Sequence, residues 1–260
     1  LKEVSKIIQD RNLKFPAGVL NNVLRCYRDS KQDAEETVRV LMAKYYMIAR
    51  VMEGVSDTDE YLRANIDSGF LYWHGRDHEG HPILMLRFGR MIIDQPTIEI
   101  VRYIIWTLEY CISNLLLPSR VERWVQVVDL EGASMPPMEM LTSMTSTLSA
   151  VYRFRSFKTY LCNAPWIAHG VFKMLQPLLP DVRNKVFFVS KSKMAKIAQE
   201  NFDLSNLEED FGGTATPVAK GESPYPYRFY PTCLGGSNFA PLPTWNGSKP
   251  LHEAIDMAKH

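Results

Sequence analysis

Three short runs of strand-forming residues, at 124–130, 156–162 and 186–189, are separated by two stretches of helical spacing. Connections of that length do not make hairpins, so they read as crossovers between parallel strands, and such crossovers within one sheet are right-handed. Pro136 and Pro137 open the first intervening helix, which reaches Val151, and the second covers 166–179. In the second helix Ile167, Val171, Leu175 and Leu178 form one stripe, and Phe172, Met174 and Leu179 widen it. Only His169, Lys173 and Gln176 are left to face away. A helix packed on one sheet face needs a stripe of roughly 100°, and this helix exceeds it. The surplus apolar surface predicts either a fully buried helix or the movable wall of an internal hydrophobic cavity.

Upstream, residues 17–53 read as two helices, carried by Val19, Leu20, Val23, Leu24 and Tyr27, then by Val38, Leu41, Tyr45, Ile48 and Met52. A short helix at 57–68, strands at 70–73 and 83–88, and a long helix running from Pro96 to Leu117 follow. Proline suits a first helical turn because its missing N–H has no intrahelical partner there. The expected fold is therefore α/β: a mixed, mostly parallel sheet flanked by helices, with a small helical N-terminal region and an internal hydrophobic cavity. The expected divisions are a helical region at 1–56, the α/β domain at 57–215, and an extended tail at 216–260. The tail is dense in Pro, Gly and Ser and is expected to end in a short helix near 251–258.

With 46% hydrophobic and 23% charged residues among 260, the composition is that of an ordinary globular chain. A net charge of +1 lacks the basic field that nucleic-acid binding relies on. Local basic clusters at Arg153, Arg155 and Lys158, and at Lys191, Lys193 and Lys196, read as solvated faces. Four cysteines do not make a disulfide framework in a chain this long; Cys111 and Cys162 sit in apolar runs and read as core residues, as in a reducing cytosol. The apolar stretch at 98–117 is interrupted by Glu99, Arg102, Glu109 and Asn114, so it is not a membrane span. No Gly-x-Ser-x-Gly elbow or phosphate-cradling loop is present, and Cys162 with His169 has no supporting signature, so no enzyme is expected. His74, His78 and His81 lie around Gly75 and Gly80, a hairpin composition and not the face of a metal-binding helix.

Several short motifs share one order. Asp129-Leu130-Glu131-Gly132 with Ser134, Asn163-Ala164-Pro165-Trp166, Gln176-Pro177-Leu178-Leu179 and Phe211-Gly212-Gly213 together resemble the CRAL-TRIO lipid-binding domain. This is the family of the yeast phosphatidylinositol/phosphatidylcholine transfer protein and of the tocopherol and retinaldehyde carriers. Gly75-Arg76-Asp77-His78-Glu79-Gly80-His81-Pro82-Ile83 resembles the family's hairpin, with His81 where an Arg is usual. The resemblance covers roughly residues 18–215.

The resemblance implies a single phospholipid or similar hydrophobic ligand, held in the cavity and transferred or presented at membranes, with the apolar helix as gate. It implies Val171, Phe172 and Leu175 on the gate, and Met138, Leu141 and Met144 on a second wall of adaptable methionines. Ser134, Tyr152, Phe154, Arg155, Lys158 and Lys185 are the expected headgroup positions. Phe154 stands where inositol-binding members carry a carboxylate, and Val182 where they carry a threonine, while the lysine is kept as Lys185. A buried inositol would thus lack two partners, at about 1–3 kcal/mol each. The implied protein is a cytoplasmic monomer, peripheral at membranes, with no cofactor, metal or nucleic acid. The competing expectation is an interaction module of the same fold whose cavity is filled by its own side chains.

Overall fold

The computed structural model describes residues 1–13, 15, 23–55, 59–117, 120–152, 155–179 and 184–224. Residues 1–56 belong to one compact unit and residues 57–242 to another. In the first, helices α1 (Lys2–Asp10), α2 (Val23–Asp29) and α3 (Ala34–Val51) meet over Val4, Ala34 and Val38. Asp33 starts α3 by accepting from Glu36 N at 2.9 Å, which satisfies one of the orphan donors of a first turn. Val38, Leu41, Tyr45, Ile48 and Met52 are all buried, as their spacing predicts. Helix α1 carries Val4, Ile7 and Ile8 on too short a stripe to stand out from the sequence. Residues 17–22, where the earlier of the two expected helices begins, lie outside the described residues, as does the tail from 225 on.

In the second unit Asp59 caps α4 (Glu60–Ser68) through Leu62 N at 2.9 Å. Five strands follow, β1 (Leu71–Arg76), β2 (Pro82–Arg87), β3 (Trp124–Asp129), β4 (Ser156–Cys162) and β5 (Val186–Val189), ordered 1-2-3-4-5 across one sheet. β1 and β2 form an antiparallel hairpin, and β2 through β5 run parallel. The crossovers are α5 (Thr97–Asn114), α6 (Met138–Val151) and α7 (Trp166–Leu175), the last extended by a 3₁₀ turn at Gln176–Leu178. The mixed, mostly parallel sheet flanked by helices is the expected architecture. α5 stops at Asn114, short of the expected Leu117. Helix α8 (Lys191–Asn201) was not expected; its run of lysines hides the i, i+3, i+4 set Met194, Ile197 and Ala198, and Ser190 caps it through Lys193 N.

Period-two alternation gives the sheet two unlike faces. Tyr72, Ile83, Met85, Val125, Val127, Tyr160, Cys162 and Val189 point one way and pack with Met194 and Ala198 of α8 and with Phe202, Leu207, Phe211 and Val218. The other face meets α5, α6 and α7. There Trp73 Nε1 donates to Thr107 O at 2.8 Å, and the Trp73 and Trp124 rings lie edge to face at 5.6 Å.

The motif Phe211-Gly212-Gly213 is explained by crowding. A Cβ on Gly213 would lie 1.8 Å from Leu207 O, backbone that cannot step aside, and Gly212 has φ +90 against Ala195. Gly213→Ala is expected to destabilise the fold by about 2–3 kcal/mol, a fall of about 5–10 °C in Tm by calorimetry. Gly170→Ala, which meets nothing within 4 Å and like Gly213 does not have a positive φ, is the control for an added methyl without crowding.

Candidate functional site

Helix α7 is the most unusual element of the second unit. It begins where Asn163 takes a left-handed conformation (φ 52) and donates from Nδ2 to Asp129 Oδ1 at 2.9 Å. Pro165 then sets the N-terminus in extended geometry. None of the ten helical residues is buried: Trp166 is 86% exposed, Met174 55% and Ile167 46%. The buried-helix expectation is overturned, because an apolar helix rests here on the sheet by few contacts. Two of them are aromatic: the His169 ring stacks on Phe188 at 3.8 Å, and the Phe172 ring meets it edge-on at 5.7 Å. His169 thus turns toward β5, contrary to the sequence expectation that it faces away. Stacking lets an imidazole use its flat apolar face while its nitrogens stay wet. A Cβ on Gly170 would meet nothing within 4 Å.

Beneath α7 and α6 the sheet shows a floor that is apolar except at one row. Trp124, Val128, Leu161, Val186 and Phe188 share the face with Gln126 and Thr159, which are direct neighbours across β3 and β4. Thr159 Oγ1 donates to Gln126 Oε1 at 3.1 Å, so Ser156 Oγ supplies the proton of the 3.2 Å contact between the two hydroxyls. Lys185 Nζ donates to Ser156 O at 3.2 Å. At the α6 end, the Tyr152 ring lies 6.4 Å from Trp124. Burial, and next the Glu109 carboxylate, hold the Tyr152 phenol well above its ordinary pKa, so it is neutral.

On the opposite face a buried ion cluster holds the C-terminal segment. Arg87 Nη1 donates to Asp129 Oδ2 at 3.2 Å, and its Nη2 donates to Asp210 Oδ2 at 2.8 Å and to Glu208. Tyr72 OH donates to Glu208 Oε1 at 2.8 Å, and Arg87 Nε donates to the Tyr72 oxygen at 3.1 Å. Burial opposes the Arg87 charge, but Tyr72 and Glu208 outweigh it and hold the guanidinium protonated. The hairpin histidines are engaged elsewhere: His74 Nδ1 lies 2.9 Å from Asn206 O, and His81 Nδ1 lies 3.0 Å from Asp77 with its ring stacked on Phe157.

The arrangement of hairpin and parallel crossovers agrees with comparison to known proteins. The CRAL/TRIO domain model matches residues 66–213, more than half of the chain. The chain belongs to the CRAL/TRIO family. Clavesin-1 of Xenopus laevis is 24% identical over 210 residues, covering 76% of this chain and 62% of that protein. The rat Clavesin-1 is equally similar over 58% of its length, so the chain spans less than two thirds of these relatives. The crystal structure of Sfh5 superposes with a TM-score of 0.59 at 15% identity, over 94% of this chain and 83% of that one, which shows the fold. CRAL/TRIO proteins bind small lipophilic ligands and transfer them, and they are generally not enzymes.

Within the CRAL/TRIO domain the expected site residues separate. Val171, Phe172 and Leu175 are half-buried on α7. Leu141 and Met144 are buried on α6, whereas Met138 at its start is 42% exposed and Ser134 is exposed in the preceding loop. Lys185 borders the polar row. Arg155 is buried and donates from Nη1 to Glu122 O at 2.8 Å. Lys158 differs from expectation: a bulge at Trp124 and Val125 turns it to the α8 face, where its Nζ lies 5.1 Å from the Phe157 ring. Phe154 lies outside the described residues. Gln126, Thr159, Ser156 and Phe188 were missed, although the polar Gln126 within Val-Gln-Val-Val was a visible signal.

No helix among the described residues is long and apolar enough to cross a membrane. Cys162 lies in the core, and its thiol is pushed up to about 12, by burial first and then by Asp129. Only the thiolate is nucleophilic, so alkylation of Cys162 at pH 8 should run about a thousandfold slower in the native protein than in urea. Site-resolved mass spectrometry of the labelled peptides checks this.

Proposed function

We propose that the second unit holds one hydrophobic ligand, a phospholipid or similar amphiphile, between the β3–β5 floor and helices α6 and α7. In this reading α7 is the wall that moves when the ligand exchanges at a membrane. The observation that carries it is the character of α7: apolar on nearly every side, no residue buried, and seated on Phe188 by His169 and Phe172. Packing against the sheet alone would not select that composition. Acyl chains beneath the helix would use its inner surface, at about 0.8 kcal/mol per buried methylene. A bilayer interface would use the outer one, where an exposed Trp166 suits the boundary between headgroups and tails. The flanking polar connections, Asn163 at one end and the 3₁₀ turn at the other, are places where a few dihedral changes would swing the helix.

Purified protein extracted with organic solvent should yield about one lipid per chain by mass spectrometry, or load one from vesicles and pass it to acceptor vesicles. Failure to recover or load any lipid would instead favour an interaction module with a filled interior. A second expectation concerns Gly170, which has open space around it and costs the helix about 1 kcal/mol relative to alanine. Gly170→Ala should keep or slightly raise Tm while slowing vesicle-to-vesicle transfer, as a stiffer wall opens less often. An unchanged transfer rate would argue that α7 moves as a rigid rod.

A further inference from the structure

Gln126 stands on the floor of the ligand space proposed above, and what it offers there narrows the ligand. Its neighbours on that face are Leu84 on β2, Trp124 and Val128 along β3, and Thr159 on β4, and none of them is charged. Thr159 and its partner Ser156 are only 6% and 7% exposed, and polar groups so placed are costly unless they are paired. Each hydroxyl has one proton to give. Ser156 Oγ donates to Thr159 Oγ1, and Thr159 Oγ1 donates to Gln126 Oε1. The two hydroxyls thus hold the amide by its oxygen, with Nε2 turned away from Thr159. Gln126 keeps part of its surface open, and among the described residues its Nε2 hydrogens have no protein partner. Lys185 does not share this position, since it donates to Ser156 O from the far side of β4.

The floor here presents an uncharged pair of donors among apolar side chains. An anion set there would give up its water for neutral hydrogen bonds and no counter-charge, which is the costlier exchange. A hydroxyl would bring a proton of its own to a place that already offers two. A carbonyl oxygen accepts through two lone pairs and brings no proton, and being neutral it costs far less to desolvate. Given the lipid-binding reading above, on which this depends, we infer that Gln126 selects ligands with a carbonyl oxygen at mid-floor, as in an ester-linked acyl chain or a long-chain ketone. Ligands with an ether oxygen or plain hydrocarbon at that place are disfavoured. Gln126 Nε2 donates to the carbonyl, and Thr159 is a positioning residue that keeps the amide in the donating direction. The choice of linkage is made in the middle of the sheet, apart from whatever group the ligand carries at its head.

The test is displacement of an acyl probe bearing an environment-sensitive fluorophore by matched pairs of competitors. Dioleoyl phosphatidylcholine is set against its dialkyl ether analogue, which has the same head and chains without the carbonyl oxygens. A long-chain ketone is set against the alkane of equal length. In at least one pair the carbonyl member should displace the probe at about fivefold lower concentration, the effect of one net hydrogen bond. The pair with the larger ratio tells ester from ketone. Gln126→Leu should bring that ratio near one, and Thr159→Val should lower it part-way. A variant that merely loosens the fold would weaken both members alike and leave the ratio standing, so the ratio reports the amide. Equal displacement within both pairs by the unmodified protein would overturn the inference whether or not the variants fold, and so would an undiminished ratio in Gln126→Leu. A preference for oleate over methyl oleate that Gln126→Leu removes would overturn it as well, since the amide would then be serving an anion. If neither the probe nor any competitor binds, lipid binding itself is wrong, an outcome distinct from loss of selectivity.

Discussion

One guanidinium ties the second unit together. Arg87, at the end of β2, reaches Asp129 at the end of β3 and Glu208 and Asp210 in the C-terminal segment, while sharing Tyr72 with β1. Removing two or more carboxylates from water is costly, and the interior repays it only with complete pairing. Arg87 supplies that pairing, so the segment carrying Phe211 and Gly213 is held against the sheet. Asp129 also accepts from Asn163, the residue that turns the chain into α7. The geometry at the root of the apolar helix is therefore set by a charge on the far face of the sheet.

This explains a division of labour between the faces. The α8 side is a closed core in which aliphatic and aromatic side chains interlock and the buried Arg87 is paired with Asp129 and Glu208. The α7 side accepts a polar row, half-buried floor residues and a helix that keeps little of its surface covered. Buried contacts are concentrated on the α8 face, so local opening is expected to cost least on the α7 face.

Much of this was legible beforehand where a local rule decides the outcome. Strands β4 and β5 follow their β-branched and aromatic runs, α5 and α6 follow their opening prolines, and Cys111 and Cys162 are buried as their apolar surroundings imply. What could not be read depends on contacts distant in sequence. The side of the sheet that Lys158 faces is decided by a bulge opposite Trp124, and His169 turns inward because Phe188 offers a ring on the next strand. Arg87 gave no signal, since its partners lie on other elements, Glu208 and Asp210 more than a hundred positions away. α8 was obscured by composition, its lysines concealing a narrow apolar stripe.

The exposure of α7 has a consequence for how the protein behaves at high concentration. Trp166, Ile167 and Met174 form adhesive surface on the free molecule, and two such surfaces meeting would bury each other as readily as either would enter a bilayer. Self-association of the purified chain should thus rise with concentration and fall when detergent or vesicles are supplied. An apolar helix left this open limits how densely the protein can accumulate without something to cover it.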